Sequence, residues 1–254
     1  MNLIKLTIGA ALFSCFLAQK PKPVLYIIGD STVKNTTGNS ANSLWGWGSL
    51  LSVHFDTTRI SVENHAIGGR SSRTFINEGR WDKIMARLKK GDYVIMQFGH
   101  NDSGPLDDTA RARGSIKGTG LDSSIIYNPK LKRQETVYSY GAYLRKYVRE
   151  AKSKGAIPII CSPVPRGIWK NGTVAGTDYQ VWAKQVAEET KSIYLPLNEM
   201  ISATYQAQGE YKTKLFFPID HTHTNKDGAI LNAQMVASGI KKFKGDQLKV
   251  YLHN

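Results

Sequence analysis

Cysteine is nearly absent from this 254-residue sequence, which contains only two. Cys15 lies in an N-terminal segment with the pattern of an export signal, so only Cys161 belongs to the expected mature domain. No internal disulfide can form there, and the hydrophobic content of 41% must supply the core that holds the fold. Cys161 ends the apolar run at residues 157–160, where a buried structural thiol is expected. No separate histidine motif accompanies it, as a cysteine nucleophile would require.

Acidic residues are also scarce, because 20 of them face 34 basic residues and leave a formal net charge of +14. Such an excess favours anionic partners, among which nucleic acids, acidic polysaccharides and anionic surfaces all fit the charge. The basic residues are spread along the chain, however, and no helix-turn-helix, zinc-finger or RNA-binding signature occurs. We therefore expect no nucleic-acid partner, and an acidic glycan remains in agreement with the charge.

The chain lacks a hydrophobic run long enough to span a bilayer comfortably. Residues 1–23 have the pattern of a signal peptide, with Lys5 in the positive region and a short apolar region at residues 6–17. Residues 12–15 also resemble a bacterial lipoprotein box, in which Cys15 would carry the lipid. We therefore predict a secreted, periplasmic or cell-surface protein, soluble or lipid-anchored, with one monomeric domain over residues 24–254.

Strand and helix patterns alternate along this domain, without an internal repeat or an interdomain linker. Apolar runs predict strands at residues 24–28, 93–98 and 157–161, and shorter strands are predicted at residues 60–64 and 192–197. Helical spacing predicts helices at residues 44–55, 80–90, 137–154, 179–190, 198–208 and 225–244. This alternation predicts the α/β class, with one doubly wound sheet of five parallel strands.

Residues 103–135 interrupt the pattern, since they are rich in Gly, Asp, Arg and Lys and too long for an ordinary connection. Long loops in compact domains are usually functional or disordered. Because this segment follows a predicted strand directly, we interpret it as a loop that faces the substrate.

Small polar residues follow the first predicted strand at the point where it ends. Ser31 comes two residues after Gly29, and ligands of open α/β sheets bind beyond the carboxyl ends of the strands. Ser31 is therefore a candidate nucleophile, presented by a sharp turn that Gly29 permits. The alternative is an ordinary exit from strand to loop.

A second candidate group precedes the last predicted helix. His223 lies three residues after Asp220, so a turn brings the carboxylate back to the imidazole. A nucleophilic serine needs a base, and that base needs a partner that fixes its tautomer. Zinc binding by His221, His223 and Asp220 is the competing interpretation, but no further His or Cys motif completes a metal site. We therefore predict no metal.

Two further residues match the requirements of an oxyanion hole, which needs hydrogen-bond donors directed at the developing negative oxygen. Gly69 offers a backbone N–H with no side chain in the way, and Asn101 offers a side-chain amide. Each alone is consistent with an ordinary turn residue. Together with Ser31, Asp220 and His223 they supply every part of an acyl-transfer site.

The four segments that carry Ser31, Gly69, Asn101 and the Asp220–His223 pair resemble those of the SGNH (GDSL-type) hydrolases, which are named for their Ser, Gly, Asn and His. The rhamnogalacturonan acetylesterase branch is the most similar one. Its typical motifs are Gly-Asp-Ser-Thr at 29–32, Gly-Gly-Arg-Ser-Ser-Arg-Thr-Phe at 68–75, Phe-Gly-His-Asn-Asp at 98–102 and Asp-His-Thr-His-Thr-Asn at 220–225. The chain has Thr32 where the wider family has the leucine of the GDSL name, and threonine at this position is common in this branch.

The resemblance implies a flavodoxin-like three-layer α/β/α domain and deacetylation of pectic polysaccharide without a metal or other cofactor. It implies that Ser31, Asp220 and His223 are catalytic. It also implies that the backbone N–H groups of Ser31 and Gly69 form the oxyanion hole with the Asn101 amide.

The anionic backbone of such a substrate gives the arginines near these motifs a candidate role. Arg70 and Arg73, together with Arg111 and Arg113, are predicted to pair with galacturonate carboxylates, although ordinary salt bridges would explain them equally well. Two alternatives remain open at this point. One is an esterase of the same fold that acts on acetylated xylan or other esters, and the other is a glycan-binding protein without catalysis.

Overall fold

The computed structural model describes residues 22–34, 38, 43–245 and 248–253. Residues 1–21 of the predicted signal peptide, including Cys15, lie outside the described residues. The strands are β1 (Val24–Gly29), β2 (Ser61–Asn64), β3 (Tyr93–Gln97), β4 (Ser123–Asn128), β5 (Arg133–Tyr138), β6 (Ile157–Cys161), β7 (Trp169–Lys170), β8 (Thr173–Val174) and β9 (Ile193–Leu195). The helices are α1 (Ser72–Asn77), α2 (Arg80–Met85), α3 (Tyr140–Ser153), α4 (Asp178–Glu189), α5 (Leu197–Gln208), α6 (Glu210–Lys214) and α7 (Lys226–Lys241).

The central sheet has five parallel strands in the order β2-β1-β3-β6-β9, which confirms the predicted fold class. The order reverses direction beside β1, as in flavodoxin-like sheets, and a cleft forms at such a point. Strand β1 lies between β2 and β3, with Ile27 opposite both Asn64 and Ile95. The carboxyl ends of β1 and β3 therefore lie side by side.

Alternate residues of β1 enter different cores, because successive side chains of a strand point to opposite faces. Leu25 and Ile27 pack on one face with buried residues of α5 and α7. Tyr26 and Ile28 pack on the other face with buried residues of α1, α2, α3 and α4. These two cores make the three layers, and they explain why the central strands are continuous apolar runs.

The helix predicted at residues 44–55 is wrong, since two short 3₁₀ helices, Trp47–Ser49 and Ser52–His54, occupy this segment. Gly46 and Gly48 lower helix propensity here, and they let the backbone pack closely against the loop that carries Ser31. A Cβ atom on Gly48 would lie 2.6 Å from the Val33 carbonyl oxygen.

The helix predicted at residues 80–90 ends at Met85 and follows a second helix, α1, that the pattern did not indicate. Residues 103–135 contain most of a β-hairpin, in which β4 and β5 pair antiparallel with Ile125 opposite Thr136. This hairpin extends to Tyr138, so α3 begins at Tyr140 rather than at residue 137. Among the described residues no helix has the length and apolar character needed to cross a membrane.

Candidate active site

The turn after β1 presents Ser31 at the rim of the sheet. The backbone N–H groups of Val33 and Lys34 donate to the Asp30 carbonyl, which closes a tight turn directly after the strand. Gly29 is required by close approach, because an added Cβ would lie 2.7 Å from the Gln97 carbonyl oxygen on β3. This is a packing reason, whereas the sequence suggested a conformational one.

Ser31, His223 and Asp220 form a continuous hydrogen-bonded line. His223 Nε2 lies 2.8 Å from Ser31 Oγ, and its Nδ1 lies 2.7 Å from Asp220 Oδ2. Asp220 Oδ1 also accepts the backbone N–H groups of Thr222 and His223, which holds the turn between the two side chains. With a carboxylate at Nδ1, the imidazole carries its proton there and its Nε2 is free to accept the serine proton.

Hydrogen bonds keep Asp220 ionised. Burial alone would raise the pKa of this carboxyl, but the bonds from the His223 side chain and from two backbone N–H groups outweigh it and lower the pKa to about 2. A permanent carboxylate can orient the His223 imidazole and stabilise the imidazolium that forms when it accepts a proton.

Gly69 and Asn101 line the same open cleft of about 740 Å³ as Ser31 and His223. Gly69 has φ +78°, a left-handed conformation in a turn between β2 and α1 that favours glycine. Within the part of the chain that the structure describes, its backbone N–H donates to no acceptor. Asn101 follows β3, and its Nδ2 donates to the Arg70 carbonyl at 3.0 Å. Gly69 and Asn101 therefore offer N–H donors in the same cleft as the Ser31 hydroxyl.

A buried contact between an aspartate and a histidine lies behind the nucleophile. Asp30 Oδ2 is 3.2 Å from Nδ1 of His100, whose Nε2 is 3.0 Å from the Val164 carbonyl oxygen. Asp30 Oδ1 accepts both the backbone N–H and the hydroxyl of Thr32. Although burial opposes ionisation, the contact with His100 and these bonds lower the pKa of Asp30. The pair ties the ends of β1, β3 and β6 together.

A second buried carboxylate, Asp102, supports the other side of the site. It accepts the backbone N–H and the hydroxyl of Ser72 at the start of α1, and the hydroxyl of Ser115. Burial raises the pKa of Asp102 to about 6 despite these bonds. Asp102 thus joins the turn after β3 to the helix that follows the Gly69 turn.

The predicted substrate-binding arginines have different positions. Arg70 lines the cleft, where its guanidinium contacts Glu78 at 3.0 Å and the Gly68 carbonyl at 2.9 Å. The predicted substrate-binding role of Arg73 is wrong. Its side chain is fully buried and forms a bidentate pair with Glu135 of β5 at 2.7 and 2.6 Å. A side chain with no exposed surface cannot bind a polysaccharide, so Arg73 has a structural role.

Arg111 and Arg113 do line the cleft, and Arg113 Nη1 donates to Asn101 Oδ1 at 2.6 Å. The sequence reasoning missed several further lining residues. Lys130 and Leu131 come from the turn of the β4–β5 hairpin, and Arg166 follows β6. The position of Arg166 just after a predicted strand was a usable signal.

Positive charge dominates this cleft. Among the described residues, one acidic side chain, Glu78, and six basic ones line it, namely Lys34, Arg70, Arg111, Arg113, Lys130 and Arg166. Glu78 is already bonded to Arg70 and Arg80. The cleft therefore attracts anionic ligands.

Two tryptophans and the free cysteine lie outside the group of reacting side chains. Trp47 is buried and donates from Nε1 to Gln97, whereas Trp45 has its backbone paired with Thr224 beside His223. Cys161 is a free and buried thiol, and burial raises its pKa well above the ordinary value. Within residues 22–34, 38, 43–245 and 248–253, no group of three His, Cys, Asp or Glu side chains is arranged to hold a metal ion.

Comparisons with known proteins agree with this geometry. Residues 27–229 match the GDSL-like Lipase/Acylhydrolase family. The chain is 35% identical over 225 residues to the probable rhamnogalacturonan acetylesterase YesY of Bacillus subtilis (86% of this chain, 92% of that protein). It is 32% identical over 224 residues to a rhamnogalacturonan acetylesterase of Emericella nidulans (85% and 86%).

A solved structure shows the same fold. The crystal structure of protein YxiM from Bacillus subtilis superposes with a TM-score of 0.69 at 27% identity and covers 87% of this chain. The chain spans just over half of that structure, 57%. The resemblance predicted from the four motifs is confirmed. This protein belongs to the GDSL-like lipase/acylhydrolase family and is a carboxylic ester hydrolase.

Proposed function

We propose that this protein removes acetyl groups from rhamnogalacturonan, a pectic polysaccharide, through a Ser-His-Asp acyl-enzyme mechanism. The observation that carries the proposal is the 2.8 Å contact between Ser31 Oγ and His223 Nε2 at the floor of a cationic cleft. The names of the two relatives above, a probable rhamnogalacturonan acetylesterase and a rhamnogalacturonan acetylesterase, support the choice of bond and polymer. The coarser statement, that the protein is an acetylesterase of the SGNH fold, does not depend on this proposal, because it follows from the family match and from these relatives.

The reaction begins when Ser31 Oγ attacks the acetyl carbonyl carbon while His223 Nε2 takes the hydroxyl proton. Asp220 holds the resulting imidazolium in place. The tetrahedral intermediate then expels the sugar oxygen, which receives the proton from His223 and leaves as a hydroxyl group. An acetyl-serine remains. Water, deprotonated by His223, attacks this ester and forms a second tetrahedral intermediate. When this intermediate collapses, acetate is released and His223 returns the proton to Ser31 Oγ.

Negative charge develops on the carbonyl oxygen in both tetrahedral intermediates. The backbone N–H groups of Ser31 and Gly69 and the Asn101 amide are the proposed donors to that oxygen. Gly69 suits this role because its N–H is unpaired among the described residues and its lack of a side chain leaves the approach open. Fixed donors need no reorganisation as the charge appears, which lowers the barrier.

Positive charge in the cleft explains the preference for an acidic polymer. Arg111, Lys130 and Arg166 are proposed to bind uronate carboxylates on either side of the reacting acetyl group. Arg70 is partly neutralised by Glu78 and contributes less. Export of the chain, expected from the pattern of residues 1–23, would place it where such a polymer occurs.

Acetate release from acetylated rhamnogalacturonan by the wild type and by Ser31→Ala tests the mechanism. We expect release by the wild type and loss of turnover in Ser31→Ala, with polymer binding retained. Equal release from both proteins would show that Ser31 is not the nucleophile. Binding without release by the wild type would favour the glycan-binding alternative.

Acetylated xylan, a neutral polymer, tests the substrate class separately. We expect kcat/KM for acetylated rhamnogalacturonan to exceed that for acetylxylan at low salt. The difference should narrow as ionic strength rises, because salt screens exposed charges over about 10 Å at 0.1 M. An equal or higher kcat/KM on acetylxylan at every salt concentration would contradict the pectic assignment and leave the esterase chemistry standing.

A further inference from the structure

We propose that Arg113 is a positioning residue, which fixes the orientation of the Asn101 amide and so builds the oxyanion hole. This inference rests on the proposed function, since it assigns Asn101 to that hole. The observation behind it is the 2.6 Å contact between Arg113 Nη1 and Asn101 Oδ1. Arg113 would otherwise count only as one more cleft cation that attracts the substrate.

The two contacts of the Asn101 amide define its orientation. A guanidinium can only donate, so Arg113 requires the amide oxygen on its side. The Arg70 carbonyl can only accept, so it requires the amide nitrogen, which lies 3.0 Å away. A flipped amide would set N–H groups against the guanidinium and oxygen against oxygen. Both contacts therefore oppose the flip.

This orientation matters because an asparagine amide carries a donor and an acceptor that differ only by rotation. In the orientation observed, one Nδ2 hydrogen bonds the Arg70 carbonyl and the second remains for the oxyanion. In the flipped orientation, the amide oxygen would move to the nitrogen position and repel the developing negative charge. Arg113, together with the Arg70 carbonyl, thereby favours the orientation in which Asn101 stabilises the transition state.

Arg113 itself is held between fixed points. Asp102 lies next to Asn101, and its backbone carbonyl accepts the N–H of Ser115 at 2.9 Å. The Gly114 carbonyl accepts from the buried Arg73 at 2.7 Å. Arg113 is adjacent to Gly114 and two residues from Ser115, so these two hydrogen bonds leave it little freedom to move away from Asn101.

The charge of Arg113 adds to its geometric effect. The side chain is half-buried, and burial together with the neighbouring Arg111 charge lowers the pKa of its guanidinium. A guanidinium nevertheless stays protonated in proteins. A charged donor shielded from water makes a stronger hydrogen bond, and it polarises the amide whose N–H faces the oxyanion.

A small neutral ester separates positioning from substrate attraction. p-Nitrophenyl acetate has no carboxylate, so a residue that only binds the acidic polymer has no effect on its hydrolysis. We expect Arg113→Met to lower kcat for p-nitrophenyl acetate by at least about tenfold, up to the 10²–10³-fold usual for loss of one oxyanion donor. The loss falls on kcat because the oxyanion contact forms in the transition state.

Arg111 is the matched comparison, because it lines the same cleft but is exposed and makes no bond to Asn101. Arg111→Met should raise KM for acetylated rhamnogalacturonan more than it lowers kcat for p-nitrophenyl acetate. Arg113→Lys keeps one donor and the charge, and it should recover part of the kcat that Arg113→Met loses. Urea unfolding of each variant checks that the fold is intact.

A double-mutant cycle completes the test. If Arg113 acts through Asn101, adding Arg113→Met to Asn101→Ala should lower kcat for p-nitrophenyl acetate no further than Asn101→Ala alone. Should Arg113→Met prove unstable, Arg113→Gln replaces it in both arms of the cycle. Wild-type kcat in the single variant, or full additivity in the cycle, would overturn the inference. Turnover by Ser31→Ala equal to wild type would instead refute the proposed function.

Discussion

Replacing Arg73 with methionine tests how the wall of the cleft is held in place. Arg73 is fully buried and forms a bidentate pair with Glu135, while its Nη1 donates to the carbonyls of Leu106 and Gly114 at 2.7 Å. One side chain thus joins α1, the segment before the hairpin and strand β5. Methionine has similar length and fills the space, but it leaves Glu135 without a counter-charge.

The expected cost follows from the burial of both partners. Removing one partner of a buried ion pair typically costs about 3–5 kcal/mol, because the other charge stays buried without compensation. Asn77 and Asn128 still donate to Glu135, which favours the lower part of this range. A loss of about 3 kcal/mol is a large part of the roughly 5–15 kcal/mol by which domains are typically stable. At an m-value of about 3 kcal/mol/M, this loss should lower the urea midpoint of Arg73→Met by roughly 1 M or more.

The chain offers a control with the same chemistry at the surface. Arg87 pairs with Glu63 at 2.8 Å, but the Arg87 side chain is 51% exposed. Exposed pairs contribute about 0–1 kcal/mol, so Arg87→Met should shift the urea midpoint only slightly. Similar shifts for Arg73→Met and Arg87→Met, or a loss below about 1 kcal/mol for the former, would refute the argument from burial.

Acidification gives an independent check with a defined sign. Burial raises the pKa of Glu135, but the bonds from Arg73 and the two asparagines outweigh it and lower the pKa below the ordinary 4.5. A lowered folded-state pKa means that the carboxylate stabilises the fold above pH 4.5 and loses this effect as pH falls through the folded value. The difference in unfolding free energy between wild type and Arg73→Met should therefore shrink below about pH 4.5.

Three further predictions concern the reacting groups. Gly29→Ala should destabilise the fold by about 1–3 kcal/mol in thermal unfolding, because its Cβ would lie 2.7 Å from the Gln97 carbonyl oxygen and 2.8 Å from Val33 Cγ2. An unchanged Tm would mean that β1 and β3 separate without cost. Asn101→Ala should lower kcat for acetate release by about 10²–10³, and near-normal turnover would remove this residue from the oxyanion hole. The Asp220 carboxylate should stabilise the fold above its ordinary pKa of 3.8 and lose this effect as pH falls to about 2, so the stability difference to Asp220→Asn should narrow only there.

The fold class could be predicted because the central strands carry their own signal. Strands β1, β3 and β6 are buried on both faces, so each appears in the sequence as a continuous apolar run. All five predicted strands lie in the sheet. The Asp220–His223 turn was predictable for a similar reason, since both partners lie three residues apart. Its 2.8 Å contact with Ser31, 192 residues away, has no local signal; it was expected from where the strands end and from the resemblance to the SGNH hydrolases.

The β4–β5 hairpin was missed because tertiary contacts hold it. Glu135 packs against Arg73, 62 residues earlier, and no local pattern indicates that partner. The helix prediction for residues 44–55 failed for a different reason. The two tryptophans and periodic apolar residues of this segment suggested a helix, but Gly46 and Gly48 pack against the Ser31 loop too closely for side chains, and this close contact replaces helical regularity.

Four arginines with the same predicted role therefore separate according to partners that the sequence does not reveal. Arg70 is balanced by Glu78, Arg73 is buried on Glu135, Arg113 is bonded to Asn101, and Arg111 is exposed in the cleft. Charge composition predicted an anionic ligand because it sums over all of them. It could not assign the carboxylate contacts, because a guanidinium saturated by a buried acid has no donors left for a substrate.

The acidic residues beside the catalytic groups make the same point about charge. Asp30 and Asp102 are buried next to Ser31 and Asn101, where two carboxylates would oppose a developing oxyanion. The contact with His100 and the hydrogen bonds from Thr32 lower the pKa of Asp30 despite its burial, whereas burial raises the pKa of Asp102 to about 6. The folded protein therefore binds the Asp102 proton more tightly than the unfolded chain, and the resulting stabilisation is lost as pH rises from the ordinary 3.8 through about 6. Above that pH the Asp102 charge persists beside Asn101, and the guanidinium of Arg113 on the amide oxygen is the cation placed to offset it.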